Sequence, residues 1–270
     1  MSYRGFREFA VECAREAGEI LTRYRGRIGE PTIKESASSV VTEADLAAER
    51  RVVERILREY PAHGIIAEES GVQVGSGEYV WVIDPLDGTS NFVAGLPWFG
   101  FQMGLLERGR VVASVMHLPV EGLTYWAELG GGAFRDGQRL ALTEERRLSH
   151  VLCAFGLDPS QGPEDLARDA ALLCRVGSAV RNLRMTNSLV DFCLTLDGHL
   201  GGFVNLSPKI WDIVPICLMM PEAGGVISDP AGQPISFEAD AMDITRTFPL
   251  VGASRALHSQ LIAQTREWLR

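Results

Sequence analysis

Apolar residues recur every three or four positions at the start of the chain and later give way to shorter runs. The spacing over 3–24 predicts an amphipathic helix, and a second helix is predicted over about 43–60. Thr42 and Asp45 have the spacing of a capping box at the start of that second helix, with Asp in place of the usual Glu. The polar segment 34–39 between the helices is predicted to be a mobile loop.

The pattern changes to that of β-strands from about residue 62. Gly64–Ala67 and Tyr79–Ile83 are predicted to be short buried strands, and acidic residues follow each of them. Two apolar runs joined by an Arg-Gly turn form a predicted hairpin over 99–107 and 110–118. Further strands are predicted at 122–128 and 132–142.

The second half of the chain alternates between the two patterns. Helices are predicted near 164–176, 187–197, 212–222 and 254–269, and strands near 178–183, 200–206, 225–229 and 248–252. This interleaving predicts layers of strands and helices. Because no linker or internal repeat divides the chain, one domain over 1–270 is predicted, in which the turn-rich segment 157–163 connects candidate subdomains 1–156 and 164–270.

The composition is that of a globular protein, with 46% apolar and 23% charged residues. Against 26 Lys and Arg stand 35 Asp and Glu, which leaves a net charge of −9. No basic run interrupts this surplus, so neither nucleic acid nor an anionic membrane is expected as a partner. The same charge raises the question of how the chain could bind an anion.

The cysteines and the N-terminus indicate the compartment. The five cysteines are widely spaced without a CxxC pair, which predicts reduced, buried thiols. The first residues have no apolar stretch suited to a signal peptide, and no segment reaches the ~18 apolar residues of a membrane span. A cytoplasmic protein is therefore predicted.

The most informative stretch runs from Trp81 to Phe92. A buried strand would deliver Asp84 to its C-terminal end, and the Asp87-Gly88 pair would turn the chain. The amides of Gly88, Thr89 and Ser90 could then bind a phosphate-sized anion, as strand ends followed by helix starts often do. An ordinary turn capped by Thr89 is the alternative.

Two other acidic positions give that motif a context. Glu68 follows a neighbouring predicted strand, and Asp212 starts a predicted apolar helix, where a simple helix-dipole role is the alternative. If both meet Asp84 and Asp87, each pair of carboxylates ~4 Å apart would repel by about 4 kcal/mol. Bound cations would relieve that repulsion, and oxygen-only ligands favour Mg²⁺ over zinc.

These residues resemble the pattern of the inositol monophosphatase family. That pattern is an acid pair, then D-P-[IL]-D-G-[ST], then W-D, and later E-A-G-G. The matching segments here are Glu68-Glu69, 84–89, Trp211-Asp212 and 222–225, flanked by Val41-Thr42 before Asp45 and by 132–134 before Asp136-Gly137. The resemblance covers nearly the whole chain.

The resemblance implies an α-β-α-β-α layered sandwich within the α/β (α+β) class. It also implies a homodimeric phosphatase that hydrolyses a small phosphate monoester with Mg²⁺ and is inhibited by Li⁺. Carried over by position, one metal ion would be held by Glu68, Asp84 and the Leu86 carbonyl, and a second by Asp84, Asp87 and Asp212.

The resemblance further implies roles in catalysis. A metal-bound water would attack phosphorus directly, and Glu68 would be catalytic as a ligand of the metal. Thr89 and Asp45 would orient that water and deprotonate it. The amides of Gly88 and Thr89 would hold the phosphate. Lys34 aligns with a family loop lysine that could meet phosphate or a third metal ion, and a solvated lysine is the alternative.

Substrate identity is left open by departures from the family pattern. Inositol-specific members have a glutamate seven residues before the W-D aspartate, and this chain has Asn205. Lys209 and Arg184 could bind a second anionic group, or could be a surface lysine and a structural arginine. Relatives with the same metal motif act on fructose 1,6-bisphosphate, phosphoadenosine phosphate or histidinol phosphate.

Two other kinds of function remain in competition with a phosphatase. One is a non-catalytic regulator that binds metal or a phosphorylated ligand on the same fold. The other is nucleotide binding through the triple glycine 130–132, although no helix is predicted to follow it.

Overall fold

The computed structural model describes residues 2–25, 32–33, 40–158, 162–237 and 243–268. The α-helices in the described ranges are α1 Arg4–Tyr24, α2 Glu43–Glu59, α3 Thr89–Val93, α4 Pro163–Ala179, α5 Val190–Leu196, α6 Ile210–Glu222 and α7 Arg255–Thr265.

The strands in the first part of the chain are β1 Thr32–Ile33, β2 Val40–Val41, β3 Gly64–Ala67, β4 Gly71–Gln73, β5 Tyr79–Asp87, β6 Gly100–Glu107, β7 Arg110–Leu118, β8 Leu123–Glu128, β9 Gly132–Arg135 and β10 Gln138–Arg139. The strands in the second part are β11 Leu152–Gly156, β12 Asn182–Arg184, β13 Gly202–Asn205, β14 Val226–Ser228 and β15 Leu250–Ala253.

Eight strands form the larger sheet, in the order β10-β9-β8-β7-β6-β5-β3-β4. Most neighbours are antiparallel, but β3 and β5 run parallel, with Ala67 opposite Ile83. The residues that follow these two positions are Glu68 and Asp84. Parallel pairing therefore delivers two acids to the same edge of the sheet.

Each strand of this sheet sends alternate side chains to opposite faces, as the pleat requires. Ile65, Trp81 and Ile83 belong to the core beneath α1 and α2. Ile66 and Val82 face the other way, into a core that includes α5 and α6. Both faces are covered by helices, which explains why these strands are apolar throughout.

The second sheet has five strands in the order β12-β11-β13-β15-β14. Phe203 and Leu250 on one face share the core of α5 and α6. Val204 and Val251 on the other face pack with α4 and α7. The layers therefore run α1/α2, large sheet, α5/α6, small sheet, α4/α7, which confirms the predicted α-β-α-β-α sandwich.

Some predicted elements were wrong in extent. The strand predicted at 178–183 begins only at Asn182, because α4 continues to Ala179. The segment 132–142 is a hairpin of β9 and β10, turned by Asp136 and Gly137 at positive φ. The strand β11 was not predicted. It is an interior strand of the small sheet, paired with β12 and β13.

The cysteine prediction was correct in part. All five thiols are free, but Cys174 is exposed and Cys217 only half-buried. Within the described ranges, none of the helices has the length and apolarity needed to cross a bilayer. The predicted loop 34–39 lies outside the described residues.

Candidate active site

The end of β5 forms the floor of a pocket. Asp84 is buried, and the Leu86 amide donates to its Oδ1 at 3.1 Å. The pairing of β5 with β6 is irregular between Asp84 and Asp87. This irregularity lets both carboxylates, which are three positions apart along the chain, reach the same pocket.

Gly88 makes the sharp turn from β5 into α3. Its φ of 83° lies in the left-handed region, and a Cβ at this position would be 2.6 Å from the Trp98 carbonyl oxygen. Only glycine meets both conditions without strain. The turn places Thr89 at the first position of α3 and on the pocket wall.

Glu68 and Asp212 reach the pocket from other elements. The Glu68 amide donates to the Ile83 carbonyl at 3.2 Å, which continues the β3–β5 pairing. Asp212 lies in the first turn of α6, where its Oδ2 accepts from the Lys209 amide at 2.7 Å. Asp212 therefore caps its helix and lines the pocket at once.

Three of the predicted acids form a tight group. One carboxylate oxygen from each of Asp84, Asp87 and Asp212 lies within 4.8 Å of the other two. Glu68 lines the same pocket but stands outside this group. Such a spacing of oxygens suits a hard divalent cation.

Two neutral donors hold the carboxylates of this group in place. The buried Gln102 amide on β6 donates from Nε2 to Asp87 Oδ2 at 2.9 Å and to Asp84 Oδ2 at 3.3 Å. The Leu189 amide donates to Asp87 Oδ1 at 2.7 Å. These donors orient the carboxylates but bring no positive charge.

The electrostatics of the group follow from that lack of charge. Burial raises the pKa of Asp84 well above its ordinary value, and neighbouring acids, Glu68 first, raise it further. Burial also raises the pKa of Asp87, and the charge of Asp212 adds to the rise. Burial raises the pKa of Asp212 to about 6, although the Lys209 amide opposes the shift. Without a cation, the pocket favours protonated carboxyl groups.

Asp45 connects to the pocket through Thr89. Thr89 Oγ1 lies 3.2 Å from Asp45 Oδ1 and 2.9 Å from the Leu86 carbonyl oxygen, and can donate to either. The other oxygen of Asp45 accepts from the amide and hydroxyl of Thr42, which completes the capping box of α2. Asp45 is fully buried and is not among the pocket-lining residues. Thr89 therefore lies between Asp45 and the pocket.

The remaining wall of the pocket is polar. Its empty space is about 630 Å³, including the part open to solvent, which suits a small metabolite. Asn205 lines the pocket as a half-buried residue over Gly156. The wall also includes Asn187 and Ser188, where the sequence departs from a glycine-serine step of the family, and four residues that the sequence did not single out, namely Asp158, Phe192, Ser207 and Pro208.

Three predicted substrate contacts are absent from this wall as the structure describes it. Ser90 and Arg184 are exposed, and the Arg184 guanidinium donates to the Leu183 carbonyl at 2.7 Å. Lys209 Nζ donates to the Thr245 carbonyl at 2.6 Å. None of these three lines the pocket among the described residues. Lys34 lies outside those residues.

The triple glycine lies in the turn between β8 and β9, and its amides are already engaged. The Glu222 carboxylate at the end of α6 accepts from the Gly130 amide at 2.7 Å and from the Gly132 amide at 2.8 Å. A phosphate would have to displace this carboxylate. The turn therefore anchors α6 to the large sheet.

Sequence reasoning missed two residues beside the pocket for which a signal existed. Gln102 is a polar residue inside an apolar strand, and such a residue needs a buried partner. Glu49 follows Asp45 by four residues on α2 and so shares its helix face. Its carboxylate accepts from the amides of Glu69 and Ser70.

Comparison with known proteins identifies relatives along most of the chain. A sequence model of the inositol monophosphatase family matches residues 2–270. Human inositol monophosphatase 1 is 30% identical over 238 residues, which cover 84% of each chain. Nus factor SuhB of Pasteurella multocida is 34% identical over 231 residues, covering 82% of this chain and 83% of that protein. A fructose-1,6-bisphosphatase/inositol-1-monophosphatase of Aquifex aeolicus is 28% identical over 264 residues, covering 97% and 96%.

Solved structures show the same fold. The extragenic suppressor protein suhB from Bartonella henselae superposes with a TM-score of 0.87 at 27% identity, covering 97% of this chain and 99% of that one. An IMPase from Thermotoga maritima superposes with a TM-score of 0.85 at 27% identity, covering 97% of both chains.

Proposed function

Since the chain belongs to the inositol monophosphatase family and so to a class of phosphoric monoester hydrolases, we propose that its pocket hydrolyses a small phosphate monoester with Mg²⁺. The observation that carries this proposal is the group of carboxylates from Asp84, Asp87 and Asp212, whose oxygens lie within 4.8 Å of one another. Their elements are far apart in sequence. Their convergence in one pocket costs free energy, because like charges repel one another.

The donor set fits magnesium. The side chains that could bind the metal offer carboxylate oxygens, and Leu86, whose carbonyl could be a further ligand, also lines the pocket. With Glu68 and Asp158 the pocket holds five carboxylates, and two divalent ions would neutralise most of their charge. We assign one ion to Glu68, Asp84 and the Leu86 carbonyl, and the other to Asp84, Asp87 and Asp212, with a third ion as a further option. Bound Mg²⁺ would supply positive charge to the phosphate and lower the pKa of water.

Thr89 and Asp45 are proposed to move the proton of the attacking water. Thr89 Oγ1 borders the pocket and can accept a proton while its own passes to Asp45 Oδ1, 3.2 Å away. Asp45 is fully buried, so Thr89 is its connection to the pocket in the described structure. The Gly88 and Thr89 amides, at the start of α3, are proposed to hold the phosphate oxygens.

The rest of the wall supports an alcohol with hydrogen-bonding groups as the leaving group. Asn187, Asn205, Ser188 and Ser207 can donate to or accept from hydroxyls, and Asp158 adds a negative charge. Among the described wall residues there is no Lys, Arg or His to bind a second phosphate. We therefore favour inositol monophosphate or a related sugar or amino-alcohol phosphate over fructose 1,6-bisphosphate or phosphoadenosine phosphate.

A phosphate-release assay tests the proposal. The panel holds inositol, sugar, nucleotide and amino-alcohol phosphates, each with and without Mg²⁺ and Li⁺. Asp84→Asn should lower activity about 100-fold or more, whereas the exposed Asp165→Asn on α4 should leave it unchanged. Full activity in Asp84→Asn, or activity without any divalent cation, would refute the assignment.

A regulatory role is the second candidate, because one relative at 34% identity is called a Nus factor. In that case Mg²⁺ would raise the melting temperature while no ester in the panel is hydrolysed. The presence of every proposed catalytic residue supports the enzyme instead.

Lithium inhibition, a homodimeric state and a cytoplasmic location are further proposals that rest on the family. The five free cysteines support a reducing compartment. Light scattering on the purified protein measures the oligomeric state directly.

A further inference from the structure

Glu49 makes a two-point contact that the proposed chemistry has not used. It is only 4% exposed, and its Oε2 accepts from the Glu69 amide at 2.8 Å while Oε1 accepts from the Ser70 amide at 2.8 Å. Both amides belong to the turn that follows β3. One buried carboxylate thus holds two successive peptide units of that turn.

The contact reaches Glu68 through the geometry of the backbone. The peptide group that carries the Glu69 amide also contains the Cα of Glu68, and this group is planar. On the other side, the Glu68 amide donates to the Ile83 carbonyl at 3.2 Å. The backbone of Glu68 is therefore fixed from both sides, by Glu49 and by the strand that carries Asp84.

The helix α2 connects this clamp to the opposite side of the pocket. Asp45 and Glu49 are four residues apart and project from the same helix face. Asp45 accepts from Thr89 at the start of α3, and Glu49 holds the turn after β3. One rigid helix thus determines the separation between Thr89 and Glu68.

We propose that Glu49 is a positioning residue that holds Glu68 where it can serve as a ligand of a divalent cation. The inference rests on the proposed function, because it assumes that Glu68 binds metal. Substitution of a residue that orients a metal ligand commonly lowers the affinity for the metal by about 10–100-fold.

The test is Glu49→Gln, which keeps the size of the side chain but can accept at only one of the two amides. Mg²⁺ affinity is measured by calorimetry on metal-free protein, beside the melting temperature in EDTA and the Mg²⁺ concentration for half-maximal activity. We expect Mg²⁺ affinity to fall about 10-fold, with a matching shift in half-maximal activation, and kcat at saturating Mg²⁺ to fall less than about threefold.

Two controls lie on the same helix. Glu54→Gln makes the same chemical change at an exposed position, and Ile56→Val removes a methylene from the core. Both should keep the wild-type Mg²⁺ affinity, although Ile56→Val should lower the melting temperature. If Glu49→Gln does not fold, Glu49→Asp replaces it, since the shorter side chain cannot reach both amides.

The possible results separate the two claims. Wild-type affinity in the Glu49 variant, or an equal loss of affinity in Ile56→Val, would overturn the role of Glu49 and leave the proposed function intact. A wild-type protein that binds no divalent cation would overturn the proposed function and this role with it.

Discussion

Two acids of the pocket each do a structural and a chemical task. Asp45 completes the capping box of α2 with one oxygen and meets Thr89 with the other. Asp212 caps α6 through the Lys209 amide and joins the group of carboxylates. An acid at a helix start is stabilised there by the helix dipole. This stabilisation offsets part of the cost of collecting negative charge in the pocket.

The carboxylate group predicts a pH dependence of stability. The pKa of Asp212 is raised to about 6 in the fold, and those of Asp84 and Asp87 are raised as well. An acid with a raised folded pKa is neutral below its unfolded value of ~3.9 and costs stability as pH rises through the folded value. For Asp212 alone the cost at high pH is about 3 kcal/mol.

We therefore expect the melting temperature of the protein in EDTA to fall between pH 5 and pH 8. Mg²⁺ should raise it more at pH 8, where the carboxyl groups are ionised. In Asp84→Asn both effects should be smaller, because one charge is gone. Thermal unfolding with and without Mg²⁺ measures this, and an equal Mg²⁺ effect at both pH values would contradict it.

Gly88 makes the turn into α3 in a conformation that other residues rarely adopt. Gly88→Ala should destabilise the protein by more than the ~1–2 kcal/mol of a left-handed backbone, because the new Cβ meets the Trp98 carbonyl oxygen. It should also lower kcat by displacing Thr89. Gly122→Ala is the matched control, since Gly122 has a φ of 69° and no atom within 4 Å of the added Cβ. Urea unfolding and phosphate release would detect both effects, and equal losses in the two variants would refute the argument.

Among the elements, α6 carries the most connections. Its first turn brings Asp212 to the pocket, its apolar surface lies between the sheets, and Glu222 at its end binds the turn between β8 and β9. Glu222 thus anchors the end of the helix that lies opposite Asp212. The triple glycine serves this anchorage.

Removing the anchor predicts a loss of stability without a loss of chemistry. Glu222→Ala leaves two amides without their carboxylate and should cost about 1–2 kcal/mol in the free energy of unfolding. Phosphate release well below the melting temperature should stay unchanged. Glu121→Ala, an exposed turn position, is the control.

The same contact predicts that the triple glycine 130–132 does not bind nucleotides, because Glu222 already accepts from the amides of Gly130 and Gly132. ATP without Mg²⁺ should therefore not raise the melting temperature of the protein. A clear rise would support nucleotide binding at 130–132.

The whole molecule is tied together by one shared core. Ile66 and Val82 of the large sheet, Phe203 and Leu250 of the small sheet and Ile216 of α6 belong to the same cluster of buried residues. The candidate subdomains 1–156 and 164–270 both contribute to it. Neither half could unfold without exposing apolar surface of the other.

A single cooperative unfolding transition is therefore expected in Mg²⁺-free buffer. Calorimetry should give equal calorimetric and van't Hoff enthalpies. Ile216→Ala should cost about 2–5 kcal/mol and shift the entire transition. Two resolved transitions, or a shift in only part of the curve, would indicate independent subdomains.

The net charge of −9 is a property of the whole molecule. Five of the acids line one pocket, where two divalent ions would neutralise most of the negative charge and offer positive charge to a ligand. A chain that repels anions overall could then bind a phosphate ester at this point.

Local patterns account for what the sequence predicted well. Helical periodicity marked α1, α2 and α6 because each buries one side or all of its surface. The predicted family, fold class and enzyme class are confirmed by the comparisons. The sequence could predict them because each motif that carries them is a contiguous segment. The strand β11 was missed because a short apolar run without alternation does not distinguish strand from loop or helix.

From the amino-acid sequence it is clear that acids end two buried strands and begin an apolar helix. The relations between these distant segments appear only in the folded chain. That Asp84, Asp87 and Asp212 meet within 4.8 Å, that Gln102 and Glu49 support the pocket, and that Lys209 and Arg184 stay off its wall follow from packing. The difference lies in the sequence separation of the interacting residues. Helix and strand patterns arise from neighbours a few residues apart, whereas these contacts depend on strand register and on the packing of layers from distant parts of the chain.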